Sequence, residues 1–126
     1  MAKPTPVTPL HVATAGGHLL RFFRTPLEDG LPDMPWVAVD DLGRCAGLNR
    51  DDRRTHRRLF DVIKITRTVA TPKGPVKICP HALARCVVEA MISMGRAPAS
   101  ARDDYVNASA DAIMKLLHSR SQVPRR

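Results

Sequence analysis

The sequence predicts an α+β domain in which a small sheet is covered by about four helices. The sheet is expected to consist of two N-terminal strands plus a hairpin, because β-branched and alternating segments occur there, whereas apolar residues recur at helical spacing elsewhere. The chain has 126 residues, 44% hydrophobic and 25% charged, which is typical of one globular domain. It contains no apolar run near the roughly 18–20 residues of a membrane span and no secretory signal pattern, so a cytoplasmic protein is expected.

The two N-terminal strands are predicted at residues 18–25 and 36–39. Residues 1–17 contain three prolines among the first nine positions and a Gly-Gly pair, so we expect a flexible N-terminal arm without a regular element. Residues 119–126, SRSQVPRR, are polar and basic and contain a proline, and we expect a basic C-terminal tail there. The folded domain is therefore expected to occupy residues 18–118.

Two helices follow the second strand and are predicted to form a helix-turn-helix-like pair. Asp40 or Asp41 is expected to cap the first, short helix, and Asn49 is expected to cap the second, which runs over about residues 50–63. Gly47 lies between them, where the end of a helix favours a left-handed residue. In helix-turn-helix proteins the second helix of the pair enters the major groove of DNA.

The rest of the chain is predicted to supply the hairpin and two amphipathic helices. Residues 64–71 alternate and are rich in β-branched side chains, and a Pro-Lys-Gly-Pro turn connects them to a partner strand at residues 76–79. Helices are predicted over residues 81–94 and from residue 100 to about residue 118, since apolar residues occupy one face of each. We expect these two helices to cover the sheet.

The second helix of the helix-turn-helix-like pair carries five arginines on one face. They recur at i, i+3, i+4, i+7 and i+8, the spacing that places side chains on one side of an α-helix. Guanidinium groups held together repel one another unless an anion lies against them, and their planar fork fits phosphate oxygens and the guanine edge. The same register leaves Thr55, Leu59 and Val62 as the predicted inward-facing residues.

The charge of the chain favours a polyanionic partner. Its net charge is +8 with a pI near 10.3, and residues 50–77 contain nine basic and three acidic residues. We therefore expect double-stranded DNA as the partner, with Arg50, Arg53 and Arg54 contacting bases and the other basic residues holding phosphates. Aromatic residues make up only 4% of the chain, which disfavours a single-strand binder that stacks bases. The candidate DNA-binding residues are Arg50, Arg53, Arg54, Arg57, Arg58, Lys64, Arg67, Lys73 and Lys77.

Residues 35–61, PWVAVDDLGRCAGLNRDDRRTHRRLFD, resemble the BRO-N domain of phage antirepressors and baculovirus repeated-ORF proteins. In that family a W/F-V-A-x-D-V motif precedes a short helix, an L-G-like turn and a charged helix. The similarity extends over residues 19–117. It implies that residues 18–118 form a BRO-N-like DNA-binding domain of a regulator from a phage or mobile element. The residues that match the motif here are Trp36, Val37, Ala38, Asp40 or Asp41, Leu42, Leu48 and Asn49.

A protein-binding module is the alternative function. The resemblance implies that a phage antirepressor can act by contacting a repressor, and residues 26–41 carry five acidic and no basic residues, as expected of a segment that mimics DNA. A homodimer is a further hypothesis, because a single helix gives little specificity and many regulators bind two half-sites. The last helix is expected to form the dimer interface.

No enzyme and no cofactor are expected. The sequence lacks a nucleophile elbow, a zinc-protease motif, a P-loop and a dinucleotide-binding glycine pattern. Cys79, His81 and Cys86 fit no zinc template, so no metal site is expected either. The three cysteines, Cys45, Cys79 and Cys86, are instead expected to be reduced and buried.

Overall fold

The computed structural model describes residues 5–27 and 34–121, the last three of these by their backbone only. Within these residues the chain forms five strands and four helices, which confirms the α+β class and adds one strand to the predicted sheet. The elements are β1 (His11–Ala15), β2 (His18–Phe23), β3 (Trp36–Ala38), α1 (Val39–Cys45), α2 (Arg50–Ile63), β4 (Arg67–Thr71), β5 (Gly74–Pro80), α3 (His81–Ser93) and α4 (Ser100–Ser121).

Strand β1 lies where no regular element was expected, so that expectation is wrong for His11–Ala15. Gly16 and Gly17 adopt positive φ angles of 57° and 79°, and the resulting tight turn pairs β1 with β2 in an antiparallel hairpin. The Gly-Gly pair is therefore a hairpin signal rather than a break. Before β1, the Val7 amide donates to the Ala70 carbonyl of β4 at 2.7 Å.

The sheet is antiparallel throughout, with the strand order β1-β2-β3-β5-β4. Its register places Val37 opposite Phe22 on one side and opposite Cys79 on the other. Side chains alternate along each strand, so these three residues share one face and belong to the main core. A smaller cluster on the opposite face consists of Phe23, Trp36, Ala38 and Ile78.

The main core lies between the sheet and a layer of helices. Helix α1 packs on β2, α3 on β5 and α4 on β1, and Phe60 of α2 reaches the same core. Helix α4 continues to Ser121, so residues 119–121 are helical rather than part of a tail, and residues 122–126 lie outside the described residues. Strand β4 begins three residues later than predicted because Lys64, with φ of 59°, ends α2 in the left-handed conformation.

The helices in the described ranges do not include one with the length and apolarity that a membrane crossing requires.

The β1–β2 turn contacts the end of α1 so closely that Gly16 admits no side chain. A Cβ at Gly16 would lie 2.3 Å from the Cys45 carbonyl oxygen, whereas a Cβ at Gly17 would meet no atom within 4 Å. Both positions have left-handed φ angles, which cost a non-glycine residue about 1–2 kcal/mol. We expect Gly17→Ala to lose about this much stability and Gly16→Ala to lose clearly more, as measured by urea unfolding. Equal losses for the two variants would contradict the contact with Cys45.

Candidate nucleic-acid interface

Helix α1 is attached to the sheet by a carboxylate rather than capped by one. The N-cap is Ala38, which has no side chain able to cap, so the prediction that Asp40 or Asp41 caps this helix is wrong. Asp41 is 4% exposed and accepts three hydrogen bonds from Arg21 of β2. The backbone amide donates at 3.0 Å, Nε at 2.8 Å and Nη2 at 3.0 Å. Because β3 ends at Ala38, Asp41 takes the place of a strand partner for the Arg21 amide.

The turn between α1 and α2 follows the predicted pattern. Gly47 has φ of 76°, and Leu48 is 5% exposed and belongs to the main core. The side-chain oxygen of Asn49 accepts a hydrogen bond from the Asp52 amide at 2.8 Å, which confirms the predicted cap of α2. The N-terminus of α2 is thereby fixed relative to α1.

Helices α1 and α2 come into contact at Gly43. A Cβ at this position would lie 3.4 Å from the His56 ring and 3.5 Å from Cγ of Arg53. His56 is 1% exposed, and its Nε2–H donates to the Val39 carbonyl oxygen at 3.0 Å. The ring also packs edge-to-face against Phe60 at 4.9 Å between centroids. Burial lowers the pKa of His56, so the imidazole is held neutral between the helices.

His56 and Phe60 form the inner face of α2, and this corrects the predicted register. Thr55, Leu59 and Val62 are exposed, Val62 by 76%. Helix α2 is thus rotated by about one residue, roughly 100°, from the predicted orientation. A buried carbonyl oxygen accepts from Nε2 of His56 at this inward position, whereas the buried Nδ1 has no hydrogen-bond partner in the described part of the chain. The spacing of two rings at i and i+4 was the signal for this face.

This rotation divides the five arginines into an outer and an inner set. The outer set consists of Arg50, Arg54 and Arg58, which are exposed and form no ion pair within the described residues. The inner set consists of Arg53 and Arg57, which lie toward α1. The Nε atom of half-buried Arg53 is inaccessible and has no hydrogen-bond partner in the described part of the chain. Nε of Arg57 lies 3.6 Å from the carboxylate of Asp40.

Three further candidates lie near the C-terminal end of α2, and one of them is neutralised within the protein. Lys77 of β5 forms an ion pair with Asp61 of α2. Lys64 is exposed at the end of α2, and the Arg67 guanidinium donates to the adjacent Thr66 carbonyl at 3.1 Å. Lys64 and Arg67 therefore extend the basic surface of α2, whereas Lys77 is already paired.

The last candidate, Lys73, lies away from these residues, in the β4–β5 turn. It is exposed and lines a surface pocket together with Arg21, Asp41 and Arg44. The predicted site residues therefore do not form a single row. They divide into the outer arginines with the end of α2, and a second group beside α1.

Sequence reasoning missed two charged residues of α1 beside the inner arginines. Asp40 contacts Arg57, and Arg44 lies at the end of α1 with Nη1 at 3.7 Å from the carboxylate of Asp41. The sequence contained a signal for these two residues, because Asp40 and Arg44 are at i and i+4 and such positions share one face of a helix. A cavity of about 100 Å³ lies between the helices and is lined by Asp40, Gly43, Arg44, Arg53, His56 and Arg57.

The thiols differ in burial. Cys45 and Cys79 are buried as predicted, and burial raises the pKa of Cys45 to about 11 and the pKa of Cys79 to about 12. Cys86 is exposed on α3, so its predicted burial is wrong. The described residues hold no group of three His, Cys, Asp or Glu side chains able to bind a metal ion.

Comparison with known proteins gives no match to a family model, to a curated protein or to a solved structure. The resemblance to the BRO-N domain therefore stays a prediction.

The neutral state of His56 predicts a pH dependence of stability. The pKa values of His56 and His81 are lower in the folded protein than in the unfolded chain. As the pH falls below about 6.5, the unfolded chain therefore binds more protons than the folded protein. The free energy of unfolding should therefore decrease as the pH is lowered from 7 toward 5. We expect His56→Gln to reduce this slope in urea unfolding, with His18→Gln, at an exposed position, as the reference. An undiminished slope in His56→Gln would show that His56 is not held neutral.

Proposed function

We propose that the protein is a small DNA-binding transcriptional regulator of the phage or mobile-element type, and that it places α2 against duplex DNA in the cytoplasm. The observation that carries the proposal is the outer set, Arg50, Arg54 and Arg58, whose guanidinium groups form no ion pair in the described part of the chain. Like charges held in a row on a rigid helix are stabilised by a polyanion.

The dimensions of this row suit a duplex. Eight residues of helix separate Arg50 from Arg58, which corresponds to about 12 Å along the helix axis. Duplex DNA carries one negative charge per about 1.7 Å of its axis, so a row of this length meets several phosphates. The order of a short helix, a glycine turn and an Asn-capped helix is similar to that of a helix-turn-helix unit, and this supports the proposed insertion of α2 into the major groove.

The division of the arginines refines the roles expected of them. Arg50 and Arg54 lie nearest the N-terminus of α2 in the outer set and remain the proposed base-reading residues. Arg53 was expected to contact bases as well, but it lies toward α1 and is half-buried, so we no longer assign it that role. Arg58, Lys64 and Arg67 are the proposed phosphate contacts along the end of the helix.

A protein-binding antirepressor module is the second candidate. The exposed side of α2 carries Leu59 and Val62, and exposed Ile65 follows it, so an apolar surface lies beside the basic one. Apolar side chains of this kind suit a protein partner better than phosphates. The predicted DNA-mimicking segment gives this candidate less support. Residues 28–33 lie outside the described residues, and the two acidic residues that follow are engaged by arginines of the same chain.

A double substitution of outer arginines tests the proposal. We expect Arg54→Gln/Arg58→Gln to weaken binding to a random duplex and to reduce the magnitude of the log–log salt slope by about 1, since Arg58 is the proposed phosphate contact of the two. Fluorescence anisotropy at several salt concentrations measures both quantities. Arg85→Gln/Arg102→Gln removes the same charge from exposed positions on α3 and α4 and is the matched control.

Equal weakening in the two double variants would contradict a specific role of α2. Absence of duplex binding by the parent protein at low salt would reject the DNA proposal and favour the protein-binding candidate. In that case Val62→Glu should abolish capture of the partner, whereas under the DNA proposal it leaves sequence preference unchanged.

The proposed regulator is a homodimer that associates through α4. Val106, Met114 and Leu117 are exposed by 36%, 65% and 51% and lie on one side of this helix, away from its buried face. Acidic Asp103 and Asp104 lie in its N-terminal half, and Lys115 lies in its C-terminal half. Two copies of α4 packed antiparallel would bring opposite charges together and cover the apolar side chains.

A matched pair of methionines tests the dimer. Met114 on α4 and Met94 after α3 are exposed by 65% and 63%. A buried charge at an interface is costly, so we expect Met114→Glu to shift the protein from dimer to monomer in sedimentation velocity and Met94→Glu to leave it dimeric. A parent protein that is monomeric at high concentration would contradict the proposed dimer.

A further inference from the structure

The cavity between α1 and α2 is a concave site with three arginines among its six lining residues. Its volume is about 100 Å³, and Gly43 of α1 forms part of its wall. Both helices that bound the cavity are fixed, α1 by the contact of Asp41 with Arg21 and α2 by the contact of His56 with Val39. The cavity is therefore a feature of the packed protein.

The charges around the cavity do not balance. Arg44, Arg53 and Arg57 contribute three guanidinium groups, whereas Asp40 is the only carboxylate among the six lining residues. The contact of Asp40 with Arg57 is long, at 3.6 Å, and the contact of Arg44 with Asp41 is longer, at 3.7 Å. These distances leave the hydrogen-bonding capacity of the guanidinium groups largely unused.

We infer that this cavity binds a tetrahedral oxyanion, a phosphate group held between Arg44 of α1 and Arg53 and Arg57 of α2. Three guanidinium groups beside one cavity supply planar N–H donors from which phosphate oxygens accept hydrogen bonds. The phosphate is either a free ion or a phosphodiester of the duplex backbone, since both present the same oxygens. A backbone phosphate bound here would fix α2 in the groove while the outer arginines contact the DNA. This second case rests on the proposed function.

The sign of the effect at Asp40 distinguishes anion binding from a purely structural cluster. Its carboxylate competes with an entering anion for Arg57, so Asp40→Asn should strengthen phosphate binding. Arg44→Gln should weaken it by roughly threefold, in line with the modest strength of an exposed ion pair. The side chain of Arg44 is half-exposed, so Arg44→Gln leaves the packing of the two helices intact. Arg44→Gln therefore tests the site even if Arg53→Gln disturbs this packing.

The experiment is a titration of the full chain with inorganic phosphate, in which chloride keeps the ionic strength constant. The chemical shifts of the backbone amides and of the arginine Nε–H groups are recorded by NMR at each phosphate concentration. We expect saturable shifts at the Gly43 amide and the inner arginines, weaker in Arg44→Gln and stronger in Asp40→Asn. Arg85→Gln on α3 removes one exposed charge elsewhere and should bind phosphate like the parent protein. Shifts that do not saturate, or that are spread over all basic residues, would overturn the inference.

A parallel titration with a short duplex identifies the source of the phosphate. If the backbone occupies the site, Arg44→Gln also weakens duplex binding and reduces the salt slope by about 1. If only the free phosphate ion occupies the site, Arg44→Gln leaves duplex binding unchanged. Saturable phosphate binding without duplex binding would reject the proposed function and retain the site. Duplex binding without saturable phosphate binding would reject the site and retain the proposed function.

Discussion

The contact between Arg21 and Asp41 determines where the candidate site can form. It joins β2 to the first turn of α1 through three hydrogen bonds, and the carboxylate is almost fully buried. The contact raises the pKa of Arg21, chiefly through its hydrogen bond to Asp41. The side chain of Arg21 is 25% exposed and that of Asp41 only 5%, so removal of Arg21 would leave a buried carboxylate without its partner, at a cost of about 3 kcal/mol. The orientation of α1, and of the helix that packs on it, follows from this contact.

Helix α2 in turn depends on α1 for most of its packing. Its inner residues, His56 and Phe60, meet the backbone of α1 and the edge of the main core. An inner face this narrow leaves most of the helix surface in solvent. The exposed arginines and the exposed apolar residues of α2 are both consequences of this sparse packing.

Much of the fold followed from the sequence because local signals were strong. The bounds of α2 and its Asn49 cap were predicted correctly, since capping and charge patterning act within one turn of helix. Strand β1 was missed because the prolines before it outweighed the Gly-Gly turn signal. The inner face of α2 was misplaced by one residue, because the carbonyl that accepts from Nε2 of His56 lies seventeen residues away on α1. The arginines were found from their spacing, whereas the contribution of α1 to the site required tertiary structure.

The unequal burial of the thiols has a practical consequence. Cys45 and Cys79 are enclosed in the core, whereas Cys86 faces solvent on α3. A maleimide-linked fluorophore would therefore attach to one position under native conditions, since a buried thiol is shielded from the reagent. That position lies on a different helix from the arginines, so the unmodified sequence already contains an attachment point for single-molecule or spin-label studies.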